Sequence, residues 1–304
     1  MKIAVLGAGS MGLHLAVQLH IAGHQVVVVC RSKEQAKEIK AKGIHYIQLD
    51  GSAQEQFIHV KSIDESLEGI DWIFLTVKQT QILSTIPFLK KIDPKVPILC
   101  FQNGLGHEEL LRTYLPSLSI YYAITTEGAY RKSPRSVQHS GKGETYIGTL
   151  NSNQTSEGVL TKLANVLGDS SLRVQVERNM KERVWRKLII NSCINPLTAL
   201  LQVTNGALLE TEYTMKTMEA LLQEAVTLTQ REGMDIDLGF LQDIVQVCRN
   251  TYHNRSSMLQ DIEAGRETEI QFINGAIKRT AEQLGVSVPT HSLLVNLILA
   301  KQQL

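Results

Sequence analysis

MKIAVLGAGSMG, residues 1–12, is the stretch that decides the fold. Ile3 to Leu6 is a short apolar run that stops at Gly7, and from Gly9 to Ala22 the apolar residues recur at helical spacing until Gly23. Between strand and helix, Gly7-Ala8-Gly9-Ser10-Met11-Gly12 fits G-x-G-x-x-G. The pattern gains its meaning from that strand-to-helix setting. The first glycine makes the tight turn, the second lets backbone amides reach a pyrophosphate, and the third lets the helix lie close on the sheet. Phosphates then sit at the positive end of the helix dipole. Gly7, Gly9, Ser10, Met11 and Gly12 are therefore candidate cofactor-binding residues, with a ligand-free glycine turn as the alternative.

The next strand end chooses between cofactors. Val26 to Cys30 is a continuous apolar run, as expected of a parallel strand covered on both faces. An NAD site usually carries Asp or Glu there for the ribose 2′-hydroxyl. This chain has Cys30-Arg31-Ser32-Lys33, with no carboxylate before Glu34. Arg31 and Lys33 can pair with a 2′-phosphate and Ser32 can donate to it, so the reading is NADPH. The alternative is a pair of solvated basic residues opening a surface helix over Lys33 to Lys42, with Ser32 as its N-cap.

Outward from there, Trp72 to Val77 and Ile98 to Gln102 read as buried strands. Their ends carry Lys78 and Asn103, and ligands of an open parallel sheet bind beyond such ends. Gly7, Lys78 and Asn103 are thus expected to face one cleft. Asp50-Gly51 predicts a small antiparallel excursion within residues 44–60. Residues 119–149 alternate in β fashion and predict antiparallel edge strands on the same sheet. Residues 155–168 read as a helix and 173–176 as a last strand. Beyond about Asn179 the chain is almost wholly helical, with breaks at Pro196, Gly206, Gly233, Gly265 and Pro289. The expected domains are 1–178 and 179–304.

In the helical half, residues 185–198 read WRKLIINSCINPLT. Lys187, Asn191 and Asn195 are spaced four and four, one face of a helix with about 3.6 residues per turn. Leu188, Ile189, Ile190, Cys193 and Ile194 leave little of that helix for water, so the stripe reads as a cleft wall or as a solvated face. Pro196 is expected to bend or end the helix just after Asn195. Asn254, Ser257 and Met258 are expected on one side of a further helix, where the Asn-Ser pair could bind a carboxylate. Thr268 reads as the N-cap of a helix beginning at Glu269, whose acid the dipole would stabilise even without a function.

The totals narrow the function. The 304 residues exceed what one core usually holds, so two domains are the default. The net charge of +1, from 31 basic and 30 acidic residues, argues against nucleic acid or a membrane surface. The four cysteines have no CxxC pairing and read as buried free thiols in a reducing compartment, and no metal ligand set is assigned. With neither a signal peptide nor ~18 unbroken apolar residues, a cytoplasmic monomer or homodimer is expected.

GAGSMG, QNGLG at 102–106, WRKLIINSCINPLTAL at 185–200 and RSSMLQDIEAGRETEIQFINGAI at 255–277 together resemble ketopantoate reductase (2-dehydropantoate 2-reductase). The resemblance runs nearly the whole chain. It implies an α/β Rossmann-type dinucleotide-binding domain followed by an all-α domain of the 6-phosphogluconate dehydrogenase C-terminal type. It also implies that Lys187 donates the proton to the ketone oxygen and that Glu269 binds the substrate hydroxyl. Asn191, Asn195, Asn254 and Ser257 match substrate-binding positions. Asn103 and Lys78 match residues near the nicotinamide and cofactor, and Arg31 matches the 2′-phosphate partner. Segment 126–131, TEGAYR, is assigned no role. The expected function is NADPH-dependent reduction of 2-dehydropantoate to pantoate, toward pantothenate and coenzyme A. The alternatives are reduction of another bulky 2-oxo acid and a non-enzymatic NADPH-binding sensor, which would have no need of Lys187 and Glu269.

Overall fold

The computed structural model describes residues 1–150, 157–168, 170 and 172–304. Residues 155 and 156 of the expected helix lie outside them. The chain forms two compact units, one of residues 1–102 and 107–181, the other of 103–106 and 182–304.

The first unit contains strands β1 (Lys2–Leu6), β2 (Gln25–Cys30), β3 (Ile44–Ile47), β4 (Ala53–Gln56), β5 (His59–Ser62), β6 (Trp72–Leu75), β7 (Ile98–Cys100), β8 (Ile120–Thr125), β9 (Gly128–Arg131), β10 (Ser136–Gly141), β11 (Thr145–Gly148) and β12 (Val174–Val176). Its helices are α1 (Ser10–Ile21), α2 (Lys33–Lys42), α3 (Ile82–Leu89), α4 (His107–Tyr114) and α5 (Glu157–Gly168). Eight strands make one sheet in the order β12-β11-β8-β7-β6-β1-β2-β5. Its pairings are parallel except β11 against β8. Continuous apolar runs made this legible: β1 residues Ile3 to Leu6, β6 and β7 are buried throughout, as strands covered on both faces must be.

The stretch 119–149 departs from expectation. β8 and β11 do join the main sheet, but β9 and β10 leave it. They form a second sheet of order β4-β3-β10-β9, with β10 parallel to β3 and antiparallel to β9. The Asp50-Gly51 excursion supplies β3 and β4, which pair antiparallel as expected. The reason lies in α1. Gly12, Leu13, His14, Leu15, Ala16, Val17 and Leu19 are all buried, too many for a helix with one covered face. Ile44 and Tyr46 of β3 and Val137 of β10 share a core with Leu13 and Val17, so the small sheet roofs the helix after the glycine loop.

The second unit is helical: α6 (Met180–Leu201), α7 (Glu212–Arg231), α8 (Leu241–Asn250), α9 (Ser257–Glu263), α10 (Asn274–Leu284) and α11 (Pro289–Lys301). No helix among the described residues is long and apolar enough to cross a membrane. Pro196 does not end the helix, one of the two outcomes expected of it, because α6 runs through it to Leu201. Proline removes the donor that would have reached the carbonyl four residues back, that of Ser192. Asn274 Nδ2 donates to that carbonyl instead, at 3.1 Å. The same amide lies 3.1 Å from His291 Nδ1, while His291 Nε2 lies 3.0 Å from the Leu221 carbonyl. The helix survives because a neighbour satisfies what proline leaves open.

The helix expected at Glu269 is also misplaced. Ile270–Phe272 is a single 3-10 turn and α10 begins only at Asn274. Thr268 Oγ1 accepts from the Ile270 amide at 3.4 Å, a local turn rather than an α-helical cap. Asn254 precedes α9 rather than sharing it with Ser257, since Ser256 is the N-cap and accepts from the Leu259 amide at 3.1 Å.

Replacing Asn274 by Ala strands the Ser192 carbonyl and the His291 ring. Chemical unfolding should register a loss of about 1–3 kcal/mol, the cost of buried groups left without partners. An unchanged midpoint and slope would show that Pro196 is tolerated for another reason.

Candidate functional site

The cofactor cradle belongs to the first unit. Leu6 pairs with Val29 on one side and Leu75 on the other, which sets the loop at the C-terminal ends of three neighbouring strands. Gly7 has φ +122°, and a Cβ there would lie 2.7 Å from the Val77 amide nitrogen. Only glycine fits that backbone and that gap. At Gly12 a Cβ would lie 1.8 Å from the Gly7 carbonyl oxygen and 2.6 Å from Thr76 Oγ1. Thr76 Oγ1 donates to the Gly7 carbonyl at 2.9 Å and so staples the loop to β6. Gly9 is different, for a Cβ there meets no atom of the described residues within 4 Å. The protein's own packing does not demand glycine at that position, but a pyrophosphate approaching the backbone would. The first turn of α1 holds no acidic residue and its N-cap makes no side-chain bond, so the amides there suit an anion. On these grounds the loop fits a dinucleotide.

At the end of β2 the three residues read as phosphate partners separate. Ser32 is the N-cap expected of it: its hydroxyl accepts from the Gln35 amide at 3.1 Å and donates to Glu34 at 2.6 Å. Lys33 lies 3.0 Å from Asp64. Arg31 is exposed and, among the described residues, has no ion-pair partner. Lys78 is half-buried and caps a 3-10 turn over Gln79–Gln81. Gln102, to which sequence reading assigned no role, fixes that turn's root. Its amide donates to the Leu75 and Val77 carbonyls, both at 2.9 Å.

The second centre lies in the helical unit. An unbroken α6 keeps Lys187, Asn191 and Asn195 on one face, while Leu188, Ile189, Cys193 and Ile194 are buried in the core. Burial pushes the Lys187 ammonium down from the ordinary lysine value of 10.5 to about 8. The negative charge of Glu269 pulls the other way, which places that carboxylate within electrostatic reach of the lysine. Asn103 belongs to this unit through its turn. The Leu105 amide donates to the Phe272 carbonyl at 3.0 Å, and Gly104, at φ +84°, leaves no room for a Cβ, which would lie 2.1 Å from that oxygen. The Asn103 turn is thereby docked on the 3-10 turn that follows Glu269. Asn254 and Ser257 are exposed. Their loop is tied to α6 by Thr198, whose hydroxyl donates to Ser256 Oγ at 2.7 Å. Sequence reading missed Thr198, Ser256 and Asn274, since each acts through a partner distant in the chain. All four cysteines are buried and unbridged, as expected.

Comparison with known proteins covers the whole chain. Residues 3–152 match the family model described as ketopantoate reductase PanE/ApbA, and residues 179–302 match the one described as ketopantoate reductase PanE/ApbA C terminal. The 2-dehydropantoate 2-reductase of Bacillus subtilis is 36% identical over 94% of this chain and 92% of its own length. That of Vibrio cholerae is 33% identical over 100% of this chain and 98% of its own. Among solved structures, D-mandelate dehydrogenase with NADH and anilino(oxo)acetate aligns over 100% of this chain and 99% of that one, at 28% identity and TM-score 0.93. The probable 2-dehydropantoate 2-reductase panE of Bacillus subtilis covers 99% and 100%, at 33% identity and TM-score 0.84. With both halves matched in order and across nearly their full length, this chain belongs to the ketopantoate reductase family.

Proposed function

We propose that this protein reduces 2-dehydropantoate to pantoate with NADPH, on the route to pantothenate and coenzyme A, with Lys187 as the proton donor. One observation carries the reading: a lysine held near pH 8 by burial, beside the charge of Glu269, on a helix face that also bears two amides. Reduction of a ketone builds negative charge on the carbonyl oxygen, and a nearby ammonium group stabilises it and hands over a proton. A lysine at its ordinary value would be a weak acid for this purpose at neutral pH, and burial brings it toward the working range. Bound NADPH supplies the hydride.

In this reading Glu269 receives the substrate hydroxyl, and Asn191, Asn195, Asn254, Ser257 and Asn103 orient the substrate's oxygens without adding charge. Gly7, Gly9, Ser10, Met11 and Gly12 cradle the pyrophosphate, with Lys78 near the cofactor. Arg31 takes the 2′-phosphate alone, because Ser32 and Lys33 are engaged with Glu34 and Asp64. A second reading, reduction of a bulky aryl 2-oxo acid, is favoured by the likeness to D-mandelate dehydrogenase.

NADPH oxidation against ketopantoate, 2-oxoisovalerate and benzoylformate separates the two readings. Ketopantoate should give the highest kcat/KM. Preference for benzoylformate would favour the second, and no turnover of any 2-oxo acid would overturn both.

Lys187→Ala should lower kcat by about 10²–10⁴ with NADPH affinity retained, the usual worth of a positioned acid. In the unaltered enzyme the reduction rate should fall as pH rises through about 8, since the lysine must be protonated to act. Oxidation of pantoate needs the neutral amine and should fall as pH drops through the same value. A limb that survives in Lys187→Ala belongs to another group.

Arg31→Ala should weaken NADPH by about 10–100-fold, the worth of a charge-assisted hydrogen bond, and leave NADH nearly unchanged. Equal losses for both cofactors would remove Arg31 from the 2′-phosphate.

A further inference from the structure

Three side chains unused by the reduction converge inside the first unit. His14 lies on α1 and is wholly buried, Glu127 sits in the bend between β8 and β9, and His139 lies on β10. His139 Nε2 is 2.8 Å from Glu127 Oε2, and His14 Nε2 is 3.9 Å from that same oxygen. One ligating atom from each residue falls within 4.8 Å of the other two. The Glu127 side chain is only 4% exposed. His14 Nε2 is buried yet has no hydrogen-bond partner among the described residues.

A buried orphan nitrogen aimed at a buried carboxylate asks for an explanation. The outer contacts supply one. His14 Nδ1 lies 3.0 Å from the Tyr46 hydroxyl, which also accepts from Gln18 Nε2 at 2.6 Å. When His14 Nδ1 donates to that oxygen, Nε2 keeps its lone pair and points at the other two ligands. A histidine whose second nitrogen is anchored in this way is the usual form of a metal ligand. Two imidazoles and a carboxylate suit borderline divalent cations, zinc above all. Zinc bonds of about 2.0–2.2 Å put tetrahedral ligand atoms about 3.3 Å apart, a spacing that the two measured separations bracket.

We propose that His14, Glu127 and His139 form a structural site for a divalent transition-metal cation, zinc by its ligand chemistry, that ties the helix after the glycine loop to the sheet roofing it. The assignment of no metal site made from sequence is thereby revised, and TEGAYR gains a role through Glu127. The proposal does not depend on which 2-oxo acid is reduced.

The test uses the full chain, stripped with EDTA and titrated with zinc sulfate by calorimetry and by thermal unfolding. One zinc per chain should bind and raise Tm. Glu127→Gln keeps the side chain's shape and should weaken zinc by more than about 100-fold, since even outer-shell changes cost about 10–100-fold. His139→Asn is the second ligand variant should the first not fold, and Tyr46→Phe should give a smaller, outer-shell loss. Cobalt(II) in place of zinc should show the visible bands of a tetrahedral nitrogen-oxygen site with no thiolate charge-transfer band. Millimolar or weaker binding, undiminished binding by the foldable ligand variant, or a thiolate band pointing to Cys30 or Cys100 would overturn the proposal.

Discussion

The carbonyl of Ser192 is the constraint on which the helical unit turns. Pro196 deprives it of its helical donor, and a buried carbonyl without a partner costs about 1–3 kcal/mol. Asn274 fills the place from a helix far along the chain, and His291 and the Leu221 carbonyl hold Asn274 in turn. Two consequences follow. α6 continues past the proline to Leu201, which carries the Thr198 hydroxyl to Ser256 Oγ. The start of α10 is also pinned against α6, which limits where the preceding 3-10 turn and Glu269 can sit.

Lys187 shows opposed forces in balance. Burial alone favours the neutral amine, and the carboxylate of Glu269 favours the ammonium. The first effect is larger, so the group settles at about 8, below the ordinary lysine value. Without Glu269 the value would fall further and less of the acid form would exist at neutral pH. Without the apolar helix around it, the lysine would hold its proton too tightly. Burial thus belongs to the chemistry as surely as the charged pair does.

Much of this was legible in the chain, and for identifiable reasons. Ile3 to Leu6 and Trp72 to Leu75 announce a parallel sheet because strands buried on both faces cannot alternate. The glycine loop was readable because each glycine answers a local demand. Ser32 was readable as a cap because capping is a matter of three residues. The failures share a cause: each depended on a partner remote in sequence. Pro196 reads as a stop until Asn274 is beside it. β9 and β10 read as edge strands of the main sheet until the excess of apolar surface on α1 is counted. Asn254 is the local exception: it looks helical by spacing until Ser256, two residues on, takes the cap. His14, Glu127 and His139 carry no spacing signal at all, since they meet only when the small sheet folds over α1.

The open space above Gly9 bears on how such a chain can drift. At Gly7 and Gly12 a side chain collides with backbone, so a change there damages folding and cellular quality control removes the product. At Gly9 nothing among the described residues resists a methyl group. A lineage released from selection for catalysis could therefore lose that glycine first and still accumulate a sound, long-lived protein. The middle position of the loop is a register of whether the cofactor still matters, while its neighbours record only that the fold persists.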